Sequence, residues 1–183
     1  DKTEALMVSA FEANLVEDAV ISANETQAEA FWSLRDSIAP AERAIGPAMQ
    51  HDISIPVPLM ADFIEKVSPE VEDRFSGTTT VAFGHLGDGN VHFHVLAPQG
   101  ADPQRWEAGD AKEISRFVHD RVSEWGGSIS AEHGIGQVKR DELERLGDPA
   151  RLALMRNIKT ALDPKGIMNP GKLVPLAKQA STT

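Results

Sequence analysis

Three histidines and one glutamate in two glycine-rich runs have residue types and spacing that could support metal chemistry. The first run reads F-G-H-L-G-D-G-N-V-H-F-H-V at 83–95, with His85 just before and His92 just after residues 87–90. The second run, S-A-E-H-G-I-G at 130–136, contains Glu132 and His133. Two runs of β-forming residues around a short segment rich in glycine are typical of a β-hairpin.

A hairpin at 83–95 would bring His85 and His92 together if they lie opposite each other. Side chains alternate along a strand, so residues 83, 85, 92 and 94 are expected on one face. Opposed Cβ atoms lie about 4.5–5.5 Å apart, close enough for two imidazoles to hold one metal ion. Glu132 is the candidate third ligand. Four of the six histidines lie in these runs, although a tight turn with ordinary strand histidines is the alternative for each one alone.

Composition and charge limit the classes of protein that fit. A chain of 183 residues with 41% hydrophobic and 25% charged residues is typical of one globular domain. The net charge of -10 argues against a nucleic-acid partner, and no apolar run approaches the ~18 residues of a membrane span. With no cysteine, a metal must be held by histidine and carboxylate ligands. The cytoplasm is the expected compartment.

Hydrophobic periodicity predicts an alternation of helices and strands. The predicted helices cover residues 3–16, 24–38, 58–67, 114–125, 138–146 and 149–162. Helix 24–38 is expected to bury one stripe formed by Gln27, Phe31, Leu34 and Ile38. The predicted strands cover residues 19–22, 51–56, 78–85, 91–97 and 128–131, with a loop at 39–48.

The hairpin requires antiparallel pairing, which favours an α+β fold over a parallel α/β sheet. We expect an antiparallel sheet of ferredoxin-like type with helices packed on one face, followed by a C-terminal helical tail. On helix 24–38, Trp32 and Arg35 are three residues apart and share a face. An arginine beside a tryptophan is either a solvated charge over an aromatic ring or, less often, a clamp for a carboxylate.

Three motifs in this order resemble one family. G-H-L-G-D-G-N-V-H, S-A-E-H-G-I-G and L-D-P-K-G-I-M-N-P-G-K-L are similar to the C-terminal part of FAD-linked D-2-hydroxy-acid dehydrogenases, which are flavoproteins of the vanillyl-alcohol-oxidase type. The resemblance extends from the F-W-S-L-R helix to the last motif. It implies a substrate or cap domain at 1–150 and, at 151–183, a helix and tail that pack on an N-terminal FAD-binding domain absent from this chain.

The resemblance also implies roles for individual residues. The family oxidises a 2-hydroxy acid, and hydride passes to FAD. A divalent metal, Zn²⁺ or Mn²⁺, binds the substrate, and a homodimer is left open. The implied ligands are His85, His92 and Glu132, and His133 would accept the hydroxyl proton. The implied substrate-binding residues are Arg35 and Asn90, and Asn169 and Lys172 would lie near the FAD domain.

The chain departs from the members of the family that act on 2-hydroxyglutarate. Those members are expected to carry a threonine four residues after the arginine and a lysine before the strand, where this chain has Ala39 and Gln50 or His51. His94 replaces an asparagine and is retained as a substrate-binding candidate. The distal end of the substrate is therefore expected to differ from that of 2-hydroxyglutarate.

Two other functions fit parts of the sequence. His92 and His94 are spaced as in a histidine-triad nucleotide hydrolase, but the position of the third histidine is Leu96. The second alternative is a non-catalytic interaction domain in which the glycine-rich turns are only structural. Metal content and nucleotide hydrolysis by the purified chain would distinguish these alternatives from the dehydrogenase domain.

Overall fold

The structure, a computed structural model, describes residues 2–174. It divides into two compact units, Asp1–Ala44 and Ile45–Thr183. The boundary expected after residue 150 concerns packing on another domain and stays a prediction. Within the described residues, no helix is both long and apolar enough to cross a membrane.

The first unit is helical. It contains α1 (Lys2–Glu12), α2 (Glu25–Asp36) and most of α3 (Ile38–Ile45). The start of α2 is capped because the Asn24 side chain accepts a hydrogen bond from the Gln27 backbone N–H at 3.0 Å. In return, Gln27 Oε1 accepts the Ala23 N–H at 2.8 Å. This reciprocal arrangement is close to a capping box and explains why the helix begins there.

Three predictions for this part of the chain were wrong. Phe31 and Leu34 are 43% and 70% exposed, since periodicity tells which side chains share a helix face but not whether that face is covered. The segment predicted as a loop at 39–48 contains α3, whose first turn tolerates Pro40 because N–H groups there lack helical partners. Residues 19–22 form no strand, although their composition favours one.

The second unit is built on a three-stranded antiparallel sheet, which confirms the α+β prediction. Its strands are β1 (Ala48–Ser54), β2 (Thr79–His85) and β3 (Asn90–Leu96), in the spatial order β1-β3-β2. Its helices are α4 (Met60–Arg74), α5 (Pro103–Ala108), α6 (Asp110–Glu124), α7 (Arg140–Leu146) and α8 (Pro149–Leu162).

One face of the sheet, which we call the back face, carries the core. On it Ile53, Val91, Phe93 and Val95 are fully buried against α4 and α6. The Phe63 ring of α4 lies edge-on to Phe93 with ring centroids 5.8 Å apart. Because side chains alternate along each strand, the intervening residues form the opposite, front face. These front-face residues include Gln50, Asp52, Phe83, His85, Asn90, His92 and His94.

Residues 128–131 do not form the predicted strand. They make one isolated antiparallel bridge, between Ser128 and Ser54 at the end of β1. Gly127 permits this approach, since a Cβ atom there would lie 2.3 Å from the Ser54 carbonyl oxygen and 2.8 Å from Ile55 Cδ1. After the bridge, the chain leaves the sheet and runs into the segment that contains Glu132.

Candidate functional site

His85 and His92 share the front face but are not directly opposite each other. The strand register pairs His92 with Phe83 and His85 with Asn90, so the two histidines are diagonal neighbours. A short 3-10 turn at Leu86–Asp88 and Gly89, with a φ of 78°, join the two strands. The imidazole centroids are 6.1 Å apart. The offset corrects the expectation of direct opposition while leaving both rings within reach of one ion.

Glu132 completes a group of three ligand-type side chains. One ligand-type atom each from His85, His92 and Glu132 lies within 4.8 Å of the other two. Metal–ligand bonds of about 2.0–2.2 Å put two atoms on one tetrahedral ion ~3.4 Å apart. The separation of 3.8 Å between His85 Nε2 and Glu132 Oε1 is close to that spacing. The residues present therefore fit a divalent metal such as Zn²⁺.

The three side chains differ in exposure in a way that leaves the group accessible. The side chains of His85 and Glu132 are 45% and 48% exposed, while His92 is half-buried in the sheet. A site with three protein ligands and one accessible side can admit a further oxygen ligand. This arrangement is typical of catalytic rather than structural metal sites.

Asp52 is a central residue that the sequence interpretation missed. Its side chain is 3% exposed, and Oδ2 accepts the backbone N–H groups of Glu132 at 2.9 Å and His133 at 2.8 Å. Burial, the largest effect, acts to raise the pKa of Asp52. The backbone hydrogen bonds from His133 and Glu132, together with electrostatic interaction with His133 and Lys139, outweigh burial, so the pKa is lowered and the carboxylate stays ionised at neutral pH.

Asp52, Glu132 and His133 form a second group whose ligand-type atoms lie within 4.8 Å of one another. In this group, however, Asp52 Oδ2 is already occupied by two backbone N–H groups. Asp52 Oδ1 faces the Asn90 side-chain nitrogen at 3.4 Å. The group formed by His85, His92 and Glu132 is therefore the better candidate for a metal centre, and Asp52 contacts the backbone next to it.

His133 lies beside the ligand group with its ring exposed. Its side chain is 69% exposed, and its Nδ1 is 3.6 Å from Asp52 Oδ2. The centroid of the ring is 6.3 Å from that of His92. If Nδ1 carries its proton toward Asp52, Nε2 is the nitrogen that can accept another proton.

Asn90 and His94 are brought to the same face of the sheet as the ligands. Asn90 is 2% exposed, and its Oδ1 has no hydrogen-bond partner among the described residues. A buried acceptor without a partner is uncommon and is compatible with a ligand contact. His94 is 6% exposed, and its ring centroid is 5.2 Å from that of Phe83.

Arg35, Asn169 and Lys172 belong to none of the three strands. Arg35 belongs to the first unit, where its Nη1 is 3.5 Å from Asp36 Oδ1. In the tail, Asn169 has a φ of 47° and its carbonyl accepts the Lys172 N–H at 3.2 Å. The roles expected for these three residues stay predictions.

The tail is attached to the segment that follows the ligand group. Asp163 accepts the backbone N–H groups of Ile167 at 3.0 Å and Met168 at 2.9 Å, which fixes the turn of the L-D-P-K-G-I-M-N-P-G-K-L motif. Further on, the Leu173 N–H donates to the Gly136 carbonyl at 2.9 Å. The segment with Glu132 and His133 is thus hydrogen-bonded to β1 at its start, through Ser128, and to the tail at its end, through Gly136.

The two remaining histidines are buried: His51 lies on the back face of β1, and His119 lies on α6. His51 is hydrogen-bonded to the Phe93 carbonyl at 2.9 Å and to Ser115 Oγ at 3.0 Å. His119 stacks edge-on against His51 at 5.5 Å and faces Glu142 Oε2 at 3.2 Å. Burial lowers the pKa of His119, and that of His51 to about 3, so both are neutral at pH 7.

Comparisons with known proteins show the family to which the chain belongs. Residues 1–173 match the family model described as FAD linked oxidases, C-terminal domain. A probable mitochondrial D-2-hydroxyglutarate dehydrogenase of Oryza sativa subsp. indica is 36% identical over 95% of this chain and 30% of its own length. The D-2-hydroxyglutarate dehydrogenase of Stutzerimonas stutzeri (strain A1501) is 37% identical over 85% of this chain and 33% of its own length.

A vertebrate relative gives the same result. The mitochondrial D-2-hydroxyglutarate dehydrogenase of Danio rerio is 34% identical over 96% of this chain and 31% of its own length. The chain therefore spans about a third of the length of the curated relatives it matches.

Proposed function

The chain belongs to the family of FAD linked oxidases, C-terminal domain, and we propose that it binds the substrate of an FAD-dependent oxidoreductase. The reaction is the oxidation of a D-2-hydroxy acid to the 2-oxo acid. The observation that carries this proposal is the convergence of His85, His92 and Glu132 on the front face. The relatives are named as enzymes acting on one acid of this class, D-2-hydroxyglutarate.

His85, His92 and Glu132 would hold a divalent metal, Zn²⁺ or Mn²⁺. A metal held by these residues would supply a Lewis acid for the carboxylate and hydroxyl of the substrate, which would make the hydroxyl more acidic. The role of the protein is to hold two neutral imidazole nitrogens and one carboxylate oxygen toward a common point, with one side open.

His133 would accept the proton of the substrate hydroxyl at Nε2. Its Nδ1 faces the Asp52 carboxylate at 3.6 Å, which favours the tautomer that leaves Nε2 free to act as a base. As that proton leaves, the α-hydrogen would pass as hydride to FAD, bound mainly by a domain outside this chain.

Arg35, Asn90 and His94 are the proposed substrate contacts. A guanidinium suits a carboxylate because it can donate two parallel hydrogen bonds, so Arg35 would pair with an acid group of the substrate. Asn90 offers a buried oxygen that can accept a hydrogen bond, and His94 would lie near the distal end of the substrate. Asn169 and Lys172 would lie toward the FAD-binding domain.

The remaining expectations follow from the same proposal. Residues 1–150 would form the substrate domain, and residues 151–183 would pack on the FAD-binding domain. The cytoplasm and a homodimer stay proposals for compartment and assembly. A nucleotide hydrolase of the histidine-triad type is disfavoured because the position of the third histidine is occupied by Leu96. Leu96 is a buried apolar side chain, 4% exposed.

Glu132→Gln in the intact flavoprotein tests the proposal. The variant should lose its metal and its turnover while it retains FAD, measured by elemental analysis, steady-state kinetics and flavin absorbance. Glu124→Gln, in an ion pair between Glu124 and Arg121 on the surface, is the control and should change none of these. Normal turnover after removal of the metal by a chelator would refute the role of the metal.

A further inference from the structure

The Asp52 carboxylate connects the two parts of the chain that supply the ligands. In the register of β1 and β3, Asp52 lies directly opposite His92. Opposed residues have Cβ atoms about 4.5–5.5 Å apart, so Asp52 is held beside one ligand by the sheet itself. Through Oδ2 it also holds the backbone N–H of the ligand Glu132 at 2.9 Å and of His133 at 2.8 Å.

The Lys139 side chain binds backbone carbonyl groups of β1 and of the same segment. Its ammonium group donates to the Asp52 carbonyl at 3.2 Å and to the Ile129 carbonyl at 2.8 Å, so it joins β1 to residues 128–133. The Ser54 and Ser128 backbones exchange two hydrogen bonds, both of 2.9 Å. These contacts hold the start of the segment. The N–H groups of Glu132 and His133, further along, are held by the Asp52 side chain.

We propose that Asp52 is the positioning residue of the metal centre and fixes Glu132 at the distance from His85 and His92 that one ion requires. This inference rests on the proposed function for the identity of the ligands. It adds that the segment 130–133 is placed by hydrogen bonds from two consecutive N–H groups to one buried oxygen. Outer partners of this kind typically change metal affinity about 10- to 100-fold when they are removed.

Asp163 provides a matched control elsewhere in the chain. It is 5% exposed, accepts two consecutive backbone N–H groups, from Ile167 and Met168, and faces Lys159 Nζ at 2.7 Å. Removing its carboxylate therefore breaks the same kind of contact in the tail, without touching the proposed ligands. A difference in Zn²⁺ affinity between the two variants would therefore reflect the location of Asp52 beside the proposed ligands. It would not reflect the loss of a buried aspartate in general.

Zinc titration of the purified 183-residue chain, in competition with a chromophoric chelator, is the first measurement. Asp52→Ala should weaken Zn²⁺ binding about 10- to 100-fold, and Asp163→Ala should leave it within about twofold. Asp52→Asn should restore most of the affinity, since its amide oxygen can still accept both N–H groups, and rotation of the Asn90 amide would present Asn90 Oδ1 to the new NH₂. Unchanged affinity in Asp52→Ala, or equal loss in Asp52→Asn, would overturn the proposal.

Amide hydrogen exchange, followed by NMR on the metal-free chain, is the second measurement. The N–H groups of Glu132 and His133 should exchange slowly in the wild type and fast in Asp52→Ala, whereas Asp163→Ala should affect Ile167 and Met168 instead. Fast exchange of Glu132 and His133 in the wild type would overturn the proposal even if Asp52→Ala does not fold. Slow exchange without any Zn²⁺ binding would refute the metal centre and leave the positioning contact intact.

Discussion

The two faces of the sheet differ by one residue step along each strand. On β3, Val91 and Phe93 are fully buried in the core, while His92 between them points to the opposite face and is half-buried. On β1, Asp52 lies between the back-face residues His51 and Ile53. The same backbone hydrogen bonds therefore support both the core and the candidate site. This arrangement places His85 and His92 on strands whose opposite side is packed in the core.

Polar groups occur on both faces but are satisfied differently. On the back, both nitrogens of His51 have protein partners, Phe93 and Ser115. On the front, Asn90 Oδ1 has no partner among the described residues. The back face uses its imidazole to complete the core, whereas the front face holds polar atoms toward an accessible side. The surroundings of a histidine, more than its presence in a strand, indicate its role.

Substitution of adjacent residues on β3 should show the largest difference between the faces. Phe93→Ala should lower the free energy of unfolding by about 3–5 kcal/mol because it leaves a cavity in the core. His92→Ala should cost about 1 kcal/mol or less but should abolish Zn²⁺ binding. Urea denaturation and zinc titration of both variants check this. Equal destabilisation by the two substitutions would contradict the division between the faces.

A change of pH from 7 to 5 should destabilise the back face. Burial lowers the pKa of His51 to about 3, and His119, Lys139 and His94 also oppose its protonation. The unfolded chain takes up this proton below about pH 6.5, so the native state loses about 2 kcal/mol of stability by pH 5. His119, whose pKa is also lowered, acts in the same direction.

Urea denaturation at both pH values measures this loss. His51→Gln is the matched variant, and its stability should fall less between pH 7 and pH 5. If the free energy of unfolding falls as much in His51→Gln as in the wild type, titratable groups other than His51 cause the pH dependence.

A smaller effect on stability is expected where the back face of the edge strand β2 is hydrogen-bonded to α4. Glu72 Oε1 accepts hydrogen bonds from both the backbone N–H and the hydroxyl of Thr80, at 2.7 Å and 2.6 Å. Glu72→Ala should lower the free energy of unfolding by about 1 kcal/mol. Glu65→Ala, on an exposed position of the same helix, should change it by less than about 0.5 kcal/mol. Indistinguishable melting temperatures for the two variants would argue against this attachment.

The smallest effect is expected at Gln50, an exposed front-face residue opposite His94. Gln50→Ala should change the free energy of unfolding by less than about 0.5 kcal/mol, since the residue contributes little to the core. Its neighbour Met49 packs against the core, so Met49→Ala should cost more. Thermal denaturation of the pair would contradict the assignment of faces if Gln50→Ala were the more damaging change.

Local signals explain what the sequence predicted well. The glycine-rich turn predicted the hairpin and grouped His85 with His92, and α8 begins at Pro149 and ends at Leu162 as expected. The register within the hairpin was not predictable, because the tip contains a 3-10 turn, and His85 lies two residues along β2 from the position opposite His92.

Contacts between distant parts of the chain explain what was missed. Asp52 belongs to no motif, and its partners Glu132 and His133 follow some 80 residues later. Alternation gave a usable signal, because inward Ile53 and Ile55 require Asp52 to share a face with His92 once β1 is paired to β3. Residues 128–131 have the composition of a strand, but they make an isolated bridge between Ser128 and Ser54 and a long hydrogen bond from the Ala131 N–H to the Asp52 carbonyl at 3.3 Å.

Gly127 imposes a requirement on the chain five residues before the proposed ligand Glu132. Any β-carbon at this position would collide with the Ser54 carbonyl oxygen, 2.3 Å away. Even alanine, the least intrusive replacement, would push the strand end and the following segment apart. The placement of the proposed ligand Glu132 thus depends on a position whose only contribution is that it has no side chain.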